Sequence, residues 1–175
     1  MNHNERVALI HDGVPAPGGT WADFGAGSGA FTSALRALIG PDATLYAVDK
    51  HGPSLRRQPS DVRTIHADYT TDNLPLPPLD GALAANTLHF VRDQSAALTR
   101  LLAYIKPGGT LLIVEYDVTH PAPRYVPHPL GWVRCLSLLA ELGLHGDVIG
   151  ERTSPSTGVT MTTIRAQKRQ GNSQN

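Results

Sequence analysis

The sequence predicts an α/β protein with a mostly parallel sheet, and two observations support this fold class. Short runs rich in β-branched and aromatic residues alternate with amphipathic helical segments along most of the chain. A glycine-rich segment, residues 25–29, joins the first of these runs to the first helix. The chain has 175 residues, so we expect one domain over residues 1–175, with a core at 18–166 and a disordered tail at 167–175.

The strands and helices follow from local patterns. Five strands are predicted in alternation with helices, at residues 20–24, 44–48, 62–67, 81–85 and 110–115. Phe31, Leu35 and Leu38 have the spacing of one helix face, and Gly40 ends that helix. Asp93 caps a second helix.

Prolines and the final segments complete the pattern. Prolines between the second and fourth strands leave room there only for short helices. A third helix begins near Trp132 and stops at Gly143. A terminal pair of strands is expected at 147–152 and 159–165, joined by residues 154–158.

Composition excludes several classes of protein. There are 15 basic and 15 acidic residues, which removes the usual reason to expect binding to nucleic acid. The one cysteine, Cys135, excludes an internal disulfide and a cysteine zinc cluster, and we expect a buried thiol. The eight histidines have no compact metal-ligand spacing. The apolar run at residues 7–10 is too short for a secretory signal, and no run reaches the ~18 residues of a membrane span, so we expect a cytoplasmic protein.

The glycine loop is the most informative segment for function. Glycines let a ligand approach the backbone closely, and the start of the following helix offers free N–H groups. Asp49 ends the second strand, 24 residues after Gly25, which suits a carboxylate that binds a ribose diol. The pattern Gly25-x-Gly27-x-x-Ala30 also fits the dinucleotide fingerprint, so a nicotinamide dinucleotide stays open as a ligand.

Asp23 favours a different ligand. Its carboxylate would repel a pyrophosphate but attract the α-ammonium of an amino acid. S-adenosylmethionine carries both that ammonium and a ribose. A nicotinamide enzyme would also need a substrate domain, for which 175 residues leave no room.

Several motifs in order resemble the class I S-adenosylmethionine-dependent methyltransferases, especially the methyltransferase type 11 group. The resemblance covers about residues 20–115. It is carried by Asp23-Phe24-Gly25-Ala26-Gly27-Ser28-Gly29, Ala47-Val48-Asp49-Lys50, Ala67-Asp68, Leu74-Pro75-Leu76-Pro77, Asn86-Thr87-Leu88-His89-Phe90 and Ile105-Lys106-Pro107-Gly108-Gly109-Thr110. It implies a Rossmann-like, doubly wound, seven-stranded sheet, mostly parallel, whose last strand is antiparallel.

The resemblance also implies a cofactor site and a reaction. Together with the reasoning above it assigns cofactor binding to Asp23, Gly25, Ala26, Gly27, Gly29, Asp49, Lys50, Ala67, Asp68, Asn86 and Thr87. The expected reaction is in-line transfer of the methyl group of S-adenosylmethionine to a small organic acceptor, with no metal. A non-catalytic binding module of the same fold stays open as an alternative.

The residues that act on the acceptor are less defined. A general base is needed only if the acceptor carries a proton to remove. The candidates near the carboxyl ends of the strands are His89, Glu115, Tyr116, His120, Tyr125 and His128, and no spacing singles one out. The family resemblance, together with elimination, suggests that the acceptor is apolar or quinone-like. The side from which it enters is open, covered by residues 118–129, or completed by a second subunit in a homodimer.

Overall fold

A seven-stranded sheet forms the centre of the protein. The computed structural model describes residues 1–122, 124–153 and 158–169. The strands are β1 Thr20–Phe24, β2 Thr44–Asp49, β3 Arg63–His66, β4 Leu79–Ala85, β5 Ile105–Tyr116, β6 Gly146–Thr153 and β7 Thr160–Gln167. Their order is β3-β2-β1-β4-β5-β7-β6, and only β7 runs antiparallel to its neighbours. The predicted fold class, including the antiparallel last strand, is confirmed.

Helices cover both faces of this sheet. They are α1 His3–Ile10, α2 Ala30–Ile39, α3 Gly52–Leu55, α4 Gln94–Tyr104 and α5 Trp132–Glu141, with 3₁₀ turns at His11–Gly13 and Leu88–Phe90. On one face Leu101 of α4 and Leu139 of α5 are buried in one apolar cluster. On the other face Ile10 of α1 and Leu35 of α2 are buried in a second cluster. The sheet is therefore enclosed from both sides, as its apolar strands require.

The helix predictions agree with the structure except at the start of the chain. Gly40 caps the end of α2, and the Asp93 side chain accepts from the amide of Ala96 at the start of α4. Helix α1 was not predicted, although Asn2 and Glu5 form a reciprocal capping box there. This short motif was the available signal.

Residues 167 and 168, which we predicted as part of a disordered tail, are ordered. Gln167 ends β7, and the Lys168 amide donates to the Gly109 carbonyl at 2.9 Å. The Lys168 ammonium donates to two further carbonyls at the end of α4 and the start of β5. The sheet thus extends past residue 166, while residues 170–175 and the connector at 154–157 lie outside the described residues.

The topology brings three loops together at one edge. β2, β1 and β4 are adjacent and parallel, so their carboxyl ends point the same way. The chain leaves β1 toward one side of the sheet and reaches β4 on the other side. Such a switch point opens a crevice in which ligands of open α/β sheets bind.

One glycine tests the packing between the two central strands. Gly81 of β4 lies beside Trp21 of β1 in register, and a Cβ at residue 81 would lie 2.2 Å from the indole ring. We expect Gly81→Ala to lower the free energy of unfolding by about 1–3 kcal/mol through overpacking. Urea unfolding measures the change. In a Trp21→Leu background the same substitution should cost less, and an equal cost in both backgrounds would contradict this account.

Candidate functional site

The loop after β1 is held by the backbone of β2. The amides of Gly25 and Ala26 donate to the Val48 carbonyl at 2.8 and 3.1 Å. A Cβ at Gly25 would lie 2.0 Å from the Thr87 hydroxyl, so packing against the loop after β4 requires glycine there. Gly27 has a φ of +52°, and a Cβ there would meet nothing within 4 Å. Gly27 therefore presents bare backbone to an open space.

Asp49 connects this loop to the end of β2. Its Oδ2 accepts from the Gly27 amide at 2.7 Å, and its Oδ1 accepts from the His51 amide at 2.7 Å. Both carboxylate oxygens are thereby oriented by backbone N–H groups. The carboxylate lies at the rim of a cleft of about 630 Å³, which we call the strand-end cleft. Its lining is Gly25, Gly27, Asp49, Lys50, His51, Asp68, Tyr69, Thr70, Asn86, Thr87, Phe90, Val91 and Arg92.

The far end of the strand-end cleft carries a second carboxylate. Asp68 Oδ1 accepts from the amide and the hydroxyl of Thr70 at 2.9 and 2.6 Å, and its Oδ2 lies 3.6 Å from the Lys50 ammonium. Burial opposes ionisation, but the Thr70 hydrogen bonds and the Lys50 charge together outweigh it and lower the pKa of Asp68. A charged acceptor for a ligand N–H group therefore stands at this end.

A second cavity of about 370 Å³, which we call the inner cavity, also borders Gly25 and Gly27. Its lining is Met1, Arg6, Asp23, Gly25, Ala26, Gly27, Ser28, Ala30, Phe31, Ala85, Asn86, Tyr116 and Met161. Among its lining residues, Asp23 Oδ1 and Asn86 Oδ1 are buried oxygens that have no hydrogen-bond partner. Buried oxygens of this kind are costly to leave unpaired, so they favour a donor or a cation in the cavity.

Burial strongly affects Asp23. The side chain is 1% exposed, and its Oδ2 accepts from the Thr32 hydroxyl at 2.6 Å. Burial raises the pKa of Asp23 to about 7, the Thr32 hydrogen bond opposes this shift, and the Asp49 charge adds to it. A cation next to Oδ1 would favour the ionised form.

Asn86 lines both the strand-end cleft and the inner cavity. It has a φ of +51° and is the one residue other than glycine with a positive φ among those the structure describes. Its amide donates to the Val114 carbonyl at 2.7 Å, so β5 holds this backbone in place. Asparagine tolerates this conformation better than most residues, and strain of about 1–3 kcal/mol is typical of functional positions.

Arg6 was missing from the sequence prediction. It lies on α1, borders the inner cavity together with Asp23, and its guanidinium sits 6.0 Å from the centre of the Phe31 ring. Helix α1 packs against α2 and β6, and an ion pair joins Glu5 of α1 to Arg152 of β6. A cation thus stands at the cavity that holds the unpaired Asp23 oxygen.

A loop cavity of about 740 Å³ opens on the other side of Asn86. Its lining is Met1, Asn86, His89, Phe90, Tyr116, Val118, His120, Ala122, Arg124, Tyr125, Val126, Val159 and Met161. Most of these side chains are apolar or aromatic, and no aspartate or glutamate is among the described residues that line it. Residues of the segment after β5 form one wall of the loop cavity. We predicted this segment as a possible cover of the acceptor side.

A buried pair stands behind this cavity. Glu115 Oε1 accepts from the amides of Thr87, Leu88 and His89, and Glu115 Oε2 lies 2.5 Å from His89 Nδ1. Both side chains are at most 3% exposed. Burial and the Glu115 charge raise the pKa of Tyr116 above its ordinary value, so Tyr116 stays a neutral phenol.

The structure brings most predicted site residues together. Seven of the cofactor candidates line the strand-end cleft, and Asp23 and Ala26 line the inner cavity. Ala67 and Gly29 line none of the three cavities; the Gly29 carbonyl instead accepts from Ser33 in the first turn of α2. Ala67 donates its amide to the Asp49 carbonyl at 3.1 Å.

The candidates for a catalytic role divide into those that line the loop cavity and those that do not. His89, Tyr116, His120 and Tyr125 line the loop cavity. Glu115 and His128 do not: the former is occupied by four donors, and the latter contributes its amide to the His89 carbonyl at 2.9 Å. Sequence reasoning missed Arg6, Tyr69, Phe90 and Met161, which come from several elements that the fold assembles.

Three further findings concern the remaining expectations. The Cys135 thiol is buried, and burial raises its pKa to about 12, so it is an ordinary core thiol. Within residues 1–122, 124–153 and 158–169, no group of three or more His, Cys, Asp or Glu side chains could hold a metal ion. In the same ranges, no helix combines the length and the apolar character that crossing a membrane requires.

Comparison with known proteins decides the family. Residues 5–146 match the family of methyltransferase domains. The chain belongs to this family. The resemblance to class I S-adenosylmethionine-dependent methyltransferases is thereby confirmed. The match favours S-adenosylmethionine over a nicotinamide dinucleotide as the ligand of the glycine loop.

Two relatives show how much of this chain is similar to other methyltransferases. An uncharacterized methyltransferase of Mycobacterium tuberculosis is 35% identical over 133 residues, which is 73% of this chain and 66% of that protein. The ubiquinone/menaquinone biosynthesis C-methyltransferase UbiE of Pasteurella multocida is 29% identical over 104 residues, covering 54% of this chain and 39% of that protein. The chain thus spans just under two thirds of the Mycobacterium relative and a smaller part of UbiE.

A solved structure shows the same fold. The 1,6-didemethyltoxoflavin-N1-methyltransferase of Burkholderia thailandensis, solved with 1,6-didemethyltoxoflavin and S-adenosylhomocysteine, superposes with a TM-score of 0.75 at 19% identity. The superposition covers 96% of this chain and 78% of that chain.

A valine at Gly27 tests whether the strand-end cleft holds the cofactor. We expect Gly27→Val to weaken S-adenosylhomocysteine binding by at least about tenfold, because the side chain projects into the space that bare backbone leaves open. Isothermal titration calorimetry measures the affinity. Gly143→Val is the matched control, since residue 143 also has a positive φ and open space around its Cβ but lies at the end of α5. Equal affinities of the two variants would contradict the placement of the site.

Proposed function

We propose that the protein transfers a methyl group from S-adenosylmethionine to a small organic acceptor that enters the loop cavity. The observation that carries this proposal is the pair of unpartnered buried oxygens, Asp23 Oδ1 and Asn86 Oδ1, in a cavity that shares lining residues with the Asp49 cleft. A ligand that satisfies both regions needs a cationic end and a hydroxylated middle. S-adenosylmethionine has an α-ammonium group and a ribose.

Each part of this cofactor has a matching group in the chain. Asp49 would accept hydrogen bonds from the ribose hydroxyls, and Asp68 would accept from the adenine amino group. Asp23 and Asn86 would bind the α-ammonium group. Arg6 would bind the α-carboxylate, and among the described residues its guanidinium forms no other ion pair or hydrogen bond.

The chain mainly orients the reactants. When bound, S-adenosylmethionine supplies a methyl group on a positively charged sulfur, which needs no further activation. Asn86 borders all three cavities, so the reacting atoms would meet beside it. Alignment of bound reactants can lower a barrier by several kcal/mol without a catalytic side chain.

The loop cavity suits a small acceptor with an apolar body. Phe90, Tyr116 and Tyr125 supply aromatic surface, and the volume of about 740 Å³ is within the usual range for small-molecule sites. The similarity to a quinone biosynthesis methyltransferase agrees with a flat, quinone-like ring. The homodimer, the absence of a nucleic-acid partner, the single-domain organisation and the cytoplasmic location expected from the sequence stay predictions.

Removal of the Asp49 carboxylate, which we expect to bind the ribose, tests cofactor binding. We expect Asp49→Ala to weaken S-adenosylmethionine binding by roughly 1.5–3 kcal/mol, about 10- to 150-fold, because a charged hydrogen bond is lost. Calorimetry with S-adenosylmethionine and S-adenosylhomocysteine measures this, and a methyl-transfer screen over a metabolite library follows. Asp42→Ala removes an exposed carboxylate on the turn before β2 and should leave the affinity unchanged. Unchanged affinity in Asp49→Ala would overturn the ribose assignment.

Protonation of Asp23 gives a test in the free protein. The folded protein keeps a proton on Asp23 up to a pKa of about 7, whereas the unfolded chain releases it near the ordinary pKa of 3.8. Stability contributed by this group is therefore lost as the pH rises through that window. We expect the free energy of unfolding of the unaltered protein to fall relative to Asp23→Asn between about pH 4 and pH 7.

Urea unfolding of both proteins across this pH range gives the comparison, and parallel profiles would contradict the buried titration. The α-ammonium group prefers the carboxylate form, so S-adenosylmethionine affinity should also rise between pH 6 and pH 8. Asp23→Asn should remove that rise. An identical rise in both proteins would show that the ammonium group does not bind at Asp23.

A further inference from the structure

Glu115 is a fixed acceptor for the His89 ring. Three consecutive amides, those of Thr87, Leu88 and His89, donate to Oε1 at 3.1, 2.8 and 3.3 Å. Three backbone donors hold one oxygen in place, and the other oxygen, Oε2, is left for His89 Nδ1 at 2.5 Å. The carboxylate therefore has no freedom to turn away from the ring.

This contact decides which ring nitrogen of His89 carries the proton. A carboxylate only accepts hydrogen bonds, so the proton of a neutral imidazole stays on Nδ1. The Nε2 lone pair is then available to accept a proton. Among the residues that the structure describes, no group forms a hydrogen bond with Nε2.

The ring of His89 faces the loop cavity. Its centre lies 4.2 Å from the centre of the Phe90 ring and 5.7 Å from that of the Tyr116 ring. His89 and Asn86 line this cavity together, and Asn86 also lines the inner cavity. A base on His89 would thus act on an acceptor beside the methyl donor.

We propose that His89 is the general base of the methyl transfer and that Glu115 is the residue that positions it. The proposal rests on the proposed function. The hydroxyl proton of the acceptor passes to Nε2, and the oxygen forms a bond to the methyl carbon while the carbon–sulfur bond breaks and its electron pair stays on sulfur. The Glu115 carboxylate stabilises the imidazolium that forms, and the imidazolium then releases its proton to water.

The charges of the loop cavity define the class of acceptor. The described residues that line it include Arg124, His120 and no carboxylate, while Glu115 behind His89 is fully bonded. Among the described lining residues no carboxylate is available to pair with a cationic amine, whereas a developing oxyanion is favoured near Arg124. Combined with the aromatic walls, this selects a phenol or an enol with an ionisable hydroxyl.

The tautomer of His89 gives a test that needs no acceptor. Long-range ¹H–¹⁵N spectra of the ¹⁵N-histidine-labelled protein should show His89 as the Nδ1–H tautomer. Glu115→Gln places an amide N–H next to Nδ1, which should move the proton to Nε2. The proposal is overturned if the unaltered protein has the Nε2–H form, or if a folded Glu115→Gln keeps the Nδ1–H form.

Turnover gives the second test. A panel of simple phenols and hydroxynaphthoquinones is incubated with methyl-labelled S-adenosylmethionine. His89→Gln should lower kcat by about 10²–10⁴-fold and keep S-adenosylhomocysteine affinity. His128→Gln is the matched control, because the His128 side chain does not line the loop cavity. It should leave turnover unchanged.

The outcomes separate this proposal from the function on which it rests. If the unaltered protein does not bind S-adenosylmethionine, the proposed function itself is overturned. Cofactor binding with methylation of none of the hydroxylated probes would overturn the acceptor class. Full turnover by His89→Gln would overturn the general base.

Discussion

The Glu115 carboxylate is the interaction on which the site depends. It is a buried charge on β5, and it is tolerated because four donors surround it. Three of them are consecutive amides of the turn after β4, so this turn has one conformation instead of many. That conformation keeps Asn86 at its positive φ and presses Thr87 against Gly25. Glu115 thus holds the turn after β4, and this turn packs against the loop after β1 through Thr87.

The charges at the strand ends are arranged by region. Carboxylates, Asp49 and Asp68, border the strand-end cleft, while the inner cavity has Asp23 together with Arg6. The loop cavity has basic and aromatic side chains instead. Asn86, which is polar but uncharged, separates these regions. One crevice thereby offers three different electrostatic surroundings within the width of a few strands, and each favours a different kind of chemical group.

Much of the fold and part of the site could be predicted from short-range patterns in the sequence. The alternation of strands and helices, the loop at Gly25–Gly29 and the position of Asp49 are short-range patterns, and the structure agrees with them. The capping box of Asn2 and Glu5 could have revealed α1. The role of Arg6 could not be read in this way, because its position depends on how α1 packs against α2 and β6. The contact between His89 and Glu115 depends on the register of β4 and β5. Residues far apart in the chain meet only through such packing.

The ion pair of Glu5 and Arg152 has a consequence for synthesis of the chain. These residues are separated by 147 positions, so α1 leaves the ribosome long before its partner strand exists. During translation β1, β2 and their loops can pair early, since they are close in sequence. The wall that carries Arg6 can pack against α2 early, but its contact with β6 has to wait until that strand has emerged. Hence a nascent chain can hold every glycine and carboxylate of the strand-end cleft and still leave the inner cavity unfinished until almost the last strand has been made.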